Sequence, residues 1–87
     1  MYWDIIEINA SAPRTFDILF KDGLRGTIFI DVSFCTGVFE ILKDDAVVSE
    51  AFIENGVITW KNELDLAPDT IHKEISLSSN RTYILTR

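Results

Sequence analysis

Apolar and polar side chains alternate along the first third of the chain, which is the pattern of half-buried β-strands. The alternation occupies three segments, residues 4–10, 15–21 and 24–32. Pro13 marks a turn at 11–14, because proline cannot donate a hydrogen bond to a strand ladder. Asp22 and Gly23 separate the second and third segments, and this dipeptide is a strong hairpin signal. We therefore predict a meander in which the strands flanking Asp22 and Gly23 are antiparallel neighbours.

The middle of the chain carries helical signals. Residues 37–42 favour a short helical turn, and Asp44 and Asp45 can cap a following helix that continues to residue 51. The β-branched valines in that segment are weak helix formers, so the predicted helix is short.

A second hairpin is predicted over residues 52–60. Asn55 and Gly56 form a favoured two-residue type I′ loop. Ile58 and Trp60 then lie on one face of the second strand, because side chains alternate along a strand.

The end of the chain predicts a helix over 66–75 and a strand over 81–87. Pro68 suits the first helical position, and Asp69 in the first turn favours the positive end of the helix dipole. The elements together predict an α+β fold in one domain, residues 1–87. Its expected architecture is an antiparallel or mixed sheet of five to six strands, built from two hairpins, with two short helices on one face.

The formal net charge of the 87 residues is −6. This charge repels phosphate backbones, whose binding depends on Lys and Arg, so we expect no direct nucleic-acid binding. The cations form only two small groups, Lys21 with Arg25 and Arg81 with Arg87. A basic protein partner fits the overall field. The simpler reading is that the charge keeps a small domain soluble.

The sequence predicts neither a membrane-spanning segment nor a secretory signal peptide. Its apolar runs are shorter than the roughly 20 residues that span a bilayer, and its first residues lack the basic and apolar regions of a signal peptide. Cys35 has no second cysteine to pair with, which agrees with a reducing compartment. We expect a cytoplasmic protein without a membrane segment.

Candidate catalytic chemistry centres on His72, the single histidine. Ser49, Ser76 and Cys35 are the candidate nucleophiles, but no recognised motif surrounds any of them, so no catalytic residue is assigned. One alternative is a small ligand-binding or hydrolytic domain whose acid–base groups are His72 and two nearby acids, Asp65 and Asp69. The sequence has no zinc-ligand spacing, and we predict neither a metal nor a cofactor. The simpler role of Asp65 is to cap or brace the turn before the helix.

Two tryptophans and an acidic turn are the candidate partner-binding residues. Trp60 has two interpretations. It is either a core residue whose indole N–H is hydrogen-bonded nearby or an aromatic anchor that contacts a partner. Trp3 extends the core or contacts a partner. Glu63 and Asp69 are the acids of the turn, and the edge of the strand at 81–86 offers a route to self-association by strand addition.

Several short motifs follow one another along the chain in a particular order and spacing. They are Trp3, Asp4, Phe20, Lys21, Asp22, Gly23, Phe39, Leu42, Lys43, Asp44, Trp60, Asn62, Asp65, Leu66, Pro68 and Asp69. In this order and spacing the sequence resembles a small bacterial family, the Domain of Unknown Function 2442, from Tyr2 to about His72. Two positions depart from the family pattern, since Lys61 and Glu63 stand where the family usually has Pro and Gly. The family often has Tyr near the place of His72.

The resemblance implies an α+β family core over about residues 2–75. The strand predicted at 81–86 is additional, because the tail from Leu77 to Arg87 lies outside the family pattern. It also implies a cytoplasmic bacterial protein of unknown activity. Some family members look fused to helix-turn-helix modules, and some are encoded beside another very small protein. We therefore expect a protein-interaction or regulatory module, the acidic member of a toxin–antitoxin-like pair.

Overall fold

Seven strands and two α-helices make up the part of the chain that the computed structural model describes, residues 1–61 and 63–87. Two 3-10 segments, Val32–Phe34 and Gly37–Lys43, lie between the third and fourth strands. The strands are β1 (Ile5–Ala12), β2 (Thr15–Phe20), β3 (Arg25–Ile30), β4 (Phe52–Glu54), β5 (Val57–Thr59), β6 (Asp65–Leu66) and β7 (Thr82–Leu85). The helices are α1 (Asp45–Val48) and α2 (Pro68–Leu77).

The first sheet has four strands in the order β1-β2-β3-β7. β1, β2 and β3 form the predicted antiparallel meander. The turn between β2 and β3 has the expected chemistry, because Gly23 has a φ of 94° and the Asp22 carboxylate accepts a 3.0 Å hydrogen bond from the Leu24 N–H. The predicted hairpin is therefore confirmed.

The predicted terminal strand is also present, as β7, and it pairs in parallel with β3. The backbone N–H groups of Thr27 and Asp31 each donate a 2.9 Å hydrogen bond, to the carbonyls of Arg81 and Leu85. Alternate residues of β7 therefore direct their backbone N–H and C=O groups toward β3. Ile84 is not one of them, and its backbone N–H and C=O groups point away from β3. β7 forms one edge of the sheet.

The expectation of a single sheet is wrong, because the second hairpin forms its own three-stranded sheet in the order β4-β5-β6. The Asn55-Gly56 loop is of the predicted type, with positive φ at both residues. The Gly56 carbonyl accepts a 2.9 Å hydrogen bond from the Ile5 N–H, so the turn meets β1 at its start without extending the first sheet. The alternation in residues 52–60 fits either arrangement, because it specifies a buried face and not the sheet that covers it.

The core lies between the two sheets and the helices. The rings of Phe16 in β2 and Trp60 after β5 are 6.4 Å apart between centroids. Helix α2 contributes Ile71 and Ile75, both at most 2% exposed. Gly26 lets α2 approach β3 closely, since a Cβ there would lie 2.6 Å from an Ile75 methyl carbon.

Both predicted helices exist with different ends. Helix α1 stops at Val48, before the predicted end at residue 51, and Asp44 is its N-cap through a 3.0 Å bond from the Ala46 N–H. The 37–42 segment is a 3-10 helix. Helix α2 has 10 residues and runs two residues later than the predicted 66–75, and Pro68 occupies its first position as expected. No helix in the described residues is long and apolar enough to cross a bilayer.

Candidate functional site

His72 lies in a small polar and aromatic cluster at the surface. Its Nε2 atom is 2.8 Å from a carboxylate oxygen of Asp22, and its side chain is only 13% exposed. Helix α2 supplies the histidine and the β2–β3 turn supplies the aspartate. The pair therefore fastens the helix to the first hairpin.

Aromatic rings enclose the imidazole on two sides. Phe20 meets it edge-on at 4.7 Å between centroids, and Tyr2 does so at 5.0 Å. Tyr2 also contacts Trp3 edge-on at 4.9 Å, so the N-terminal segment is part of the cluster. Tyr2 is 57% exposed, which leaves an aromatic surface open beside the half-buried Trp3.

The Asp22 carboxylate is held in its charged form. The Leu24 backbone N–H and the His72 side chain, in that order, lower its pKa below the usual value. A carboxylate that accepts two hydrogen bonds is a fixed acceptor and a weak base. Asp22 therefore acts here to orient His72 and to close the turn.

The alternative site of Asp65, Asp69 and His72 does not form as one cluster. His72 pairs with Asp22, whereas Asp65 lies in β6 and lines a shallow groove of about 370 Å³ with Glu54 and Glu63. Asp69 is exposed in the first turn of α2. Among residues 1–61 and 63–87, no group of three or more acidic, His or Cys side chains is placed to hold a metal ion.

The candidate nucleophiles occupy structural positions. The Ser49 hydroxyl donates to the Ala46 carbonyl at 3.0 Å, and the Ser76 hydroxyl donates to the Lys73 carbonyl at 2.8 Å. Cys35 is fully buried, and burial raises the pKa of its thiol. The thiolate is the reactive form, so burial keeps this sulfur unreactive.

Trp60 is a core residue, which corrects its assignment as a partner-binding side chain. It is 2% exposed, and its indole N–H donates to the Val48 carbonyl at 3.2 Å. A partner cannot touch the ring without opening the core. The alternation with Ile58, which is also buried, is the sequence signal for this outcome.

The turn after Trp60 differs from the expectation at Asp65. The N-cap of α2 is Ala67, which makes no side-chain capping bond, so Asp65 does not cap the helix. It pairs with Thr59 in the second sheet instead. Glu63 is exposed and has a φ of 67°, the left-handed region that glycine adopts readily. Asn62, also expected to shape this turn, lies outside the described residues.

The outward face of the first sheet carries a broad groove that the sequence did not predict. Its volume is about 950 Å³, and its lining includes Glu7, Asp17, Leu19, Arg25 and Arg81. Acids line it on the β1–β2 side, and arginines line it on the β3–β7 side. The grouping of Arg81 with Arg87 around the final strand was a sequence signal for basic charge here, but the position of Arg25 beside Arg81 needed the strand order.

Neither the family models, nor the curated proteins, nor the solved structures include a match to this chain.

Proposed function

We propose that this chain is a protein-interaction module, and that its contact with the partner includes the edge of β7. The observation that carries the proposal is the open edge itself. Ile84 is 52% exposed at the centre of β7 and directs its backbone N–H and C=O away from β3. A strand edge in this state is a template for strand addition by another chain.

The aromatic surface at Tyr2 and Trp3 is a second place for partner contact. The Tyr2 ring contacts His72 edge-on at 5.0 Å between centroids, so one side of this ring is already packed against α2. Aromatic side chains that are rigid before binding lose little entropy and are frequent in interface centres. Of the predicted acidic contacts, Glu63 and Asp69 are both exposed.

The wider role follows from the resemblance to the Domain of Unknown Function 2442. On that ground we propose a cytoplasmic bacterial regulator that acts as the acidic member of a two-protein, toxin–antitoxin-like pair. The net charge of −6 supports this assignment, because an acidic protein and a basic partner attract at long range.

Co-expression with the neighbouring gene product, followed by affinity capture, tests the proposal. Three forms of the tagged chain are compared: the wild type, Ile84→Asp and Leu77→Asp. Leu77 is 73% exposed and ends α2, so its substitution makes the same chemical change outside β7. Circular dichroism confirms that each variant is folded.

The wild type and Leu77→Asp are expected to retain the partner, and Ile84→Asp to lose it. The proposal is wrong if the wild type captures nothing from the co-expressing cells or from a lysate of the producing bacterium. If Ile84→Asp retains the partner, the protein-interaction role stands, but the edge of β7 is not part of the interface.

A further inference from the structure

All four arginines of the chain lie around the strip formed by β3 and β7. Two of them mark one end: the guanidinium carbon of Arg14 lies 5.9 Å from the centroid of the Phe29 ring, and Arg87 follows β7. Phe29 pairs with Ile84 in the register of β3 with β7. The exposed side chain of Ile84 therefore lies beside an arginine-covered aromatic ring.

The other two arginines mark the opposite end. Arg25 begins β3 and Arg81 immediately precedes β7, and both line the groove on the outward face of the sheet. Arg81 donates to the carbonyls of Ile75 and Ser76 at the end of α2, at 3.2 and 2.7 Å. These bonds fix the position of the guanidinium, and no carboxylate of the described residues forms an ion pair with it.

Two acids beside this strip, Asp17 and Asp31, accept hydrogen bonds from their own surroundings. The Asp17 carboxylate accepts from the Thr27 hydroxyl at 3.0 Å. The Asp31 carboxylate accepts from the Ser33 N–H at 3.0 Å, and the Ser33 bonds, followed by the charge of Arg14, lower the pKa of Asp31. Neither carboxylate makes an ion pair with an arginine of the strip in the described residues.

We propose that the β7 edge binds an extended segment of a partner protein that carries acidic side chains on both sides of a short apolar centre. The inference rests on the proposed function and names the chemistry of the partner segment. Backbone groups of the segment pair with those of Ile84, its apolar centre covers Ile84 and Phe29, and its acids meet the arginines at each end. Arginine suits this role because its guanidinium binds carboxylates in a bidentate manner.

A second copy of this chain fits the edge less well. If β7 pairs with itself in an antiparallel manner about Ile84, Arg81 of each copy lies opposite Arg87 of the other. Like charges directly opposite each other destabilise a strand pair. A segment of opposite charge therefore fits this edge better than the second copy that the sequence also predicts.

The overall net charge of −6 does not prevent this contact. Charges at a surface are screened over about 8 Å at physiological ionic strength. A segment on the edge therefore responds mainly to the four arginines, whereas the remaining acids affect its approach at longer range. A partner can be basic overall and still present an acidic strand.

Two synthetic peptides test the inference by fluorescence anisotropy. One has a Val-Thr-Val-Thr centre with two Glu residues on each side, and the matched peptide has Lys in place of each Glu. At low salt the acidic peptide is expected to bind about tenfold more tightly than the lysine peptide, because several exposed ion pairs contribute together. Methylation of alternate backbone nitrogens in the acidic peptide should abolish binding, since the added strand then lacks its donors.

Charge variants locate the site. Arg87→Glu is expected to lower the affinity for the acidic peptide about threefold, because one exposed ion pair is lost and replaced by a repulsion. Lys73→Glu makes the same change in charge on the exposed side of α2 and should leave the affinity unchanged. Equal effects of the two variants would overturn the inference, because the response would then be to net charge alone.

Three other results would also overturn it. They are equal or tighter binding of the lysine peptide, no binding of either peptide, and a dimer in analytical ultracentrifugation that Ile84→Asp dissociates. None of these results contradicts the proposed role as a protein-interaction module, provided that the capture experiment yields a partner and Ile84→Asp loses it. If capture yields nothing, the module itself fails, whatever the peptides show.

Discussion

Trp60 joins the two sheets, and its replacement by Phe measures how much stability that contact supplies. The ring is 2% exposed, lies 6.4 Å from Phe16 between centroids, and donates a hydrogen bond to the Val48 carbonyl. Loss of the hydrogen bond costs about 1 kcal/mol. Loss of the second ring, with the cavity that it leaves, costs about 1–2 kcal/mol. We expect the free energy of unfolding to fall by about 2–3 kcal/mol in total.

Urea unfolding followed by circular dichroism gives this free energy without relying on tryptophan fluorescence. In a domain of this size the same loss lowers the melting temperature by about 8–24 °C. Trp3→Phe is the matched control, because the substitution is identical and Trp3 is only half-buried. It should cost less than about 1 kcal/mol. Equal losses in the two variants would refute the placement of Trp60 in the core.

Three further predictions concern the packing of α2, the turn after Trp60 and the Asp22–His72 pair. Gly26→Ala should cost about 1–3 kcal/mol, since its Cβ would lie 2.6 and 2.7 Å from two Ile75 carbons; urea unfolding should show a smaller cost when Ile75→Ala is also present. Glu63→Gly should raise the free energy of unfolding by about 1 kcal/mol by removing a left-handed strain, and an equal gain from Glu63→Ala would contradict this reason. Because the folded pKa of Asp22 is lowered, its stabilising contribution is present above about pH 4 and is lost as the pH falls through the lowered pKa. The difference between the urea midpoints of Asp22→Asn and wild type should therefore be largest near neutral pH and should shrink as the pH falls below about 4, and a constant difference would count against the role of Asp22.

Local turn chemistry made several elements readable from the sequence. Asp22-Gly23 and Asn55-Gly56 require backbone conformations that few other dipeptides supply, so each fixed a hairpin without knowledge of the rest of the chain. Pro68 fixed the start of α2 for a similar reason. These signals depend on neighbouring residues alone.

The features that the sequence did not reveal depend on residues far apart in the chain. Alternation in 52–60 specified one buried face, but the same pattern suits one sheet or two. Asp22 and His72 meet across a separation of 50 positions, and no local pattern marks either as the partner of the other. Asp65 was misread because an acid before a helix usually caps it, whereas here it belongs to the last strand of the second sheet.

The parallel pairing of β7 with β3 has a consequence for the order of folding. The two hairpins close over short stretches of chain, whereas β7 must reach β3 across all of the intervening elements. Contacts distant in sequence form slowly because their loop-closure entropy is not offset until other structure is in place. We therefore expect β7 to dock late in folding and to detach first under native conditions. Each detachment exposes the backbone of β3, so hydrogen exchange in β3 should report the opening of β7 and not the unfolding of the whole domain.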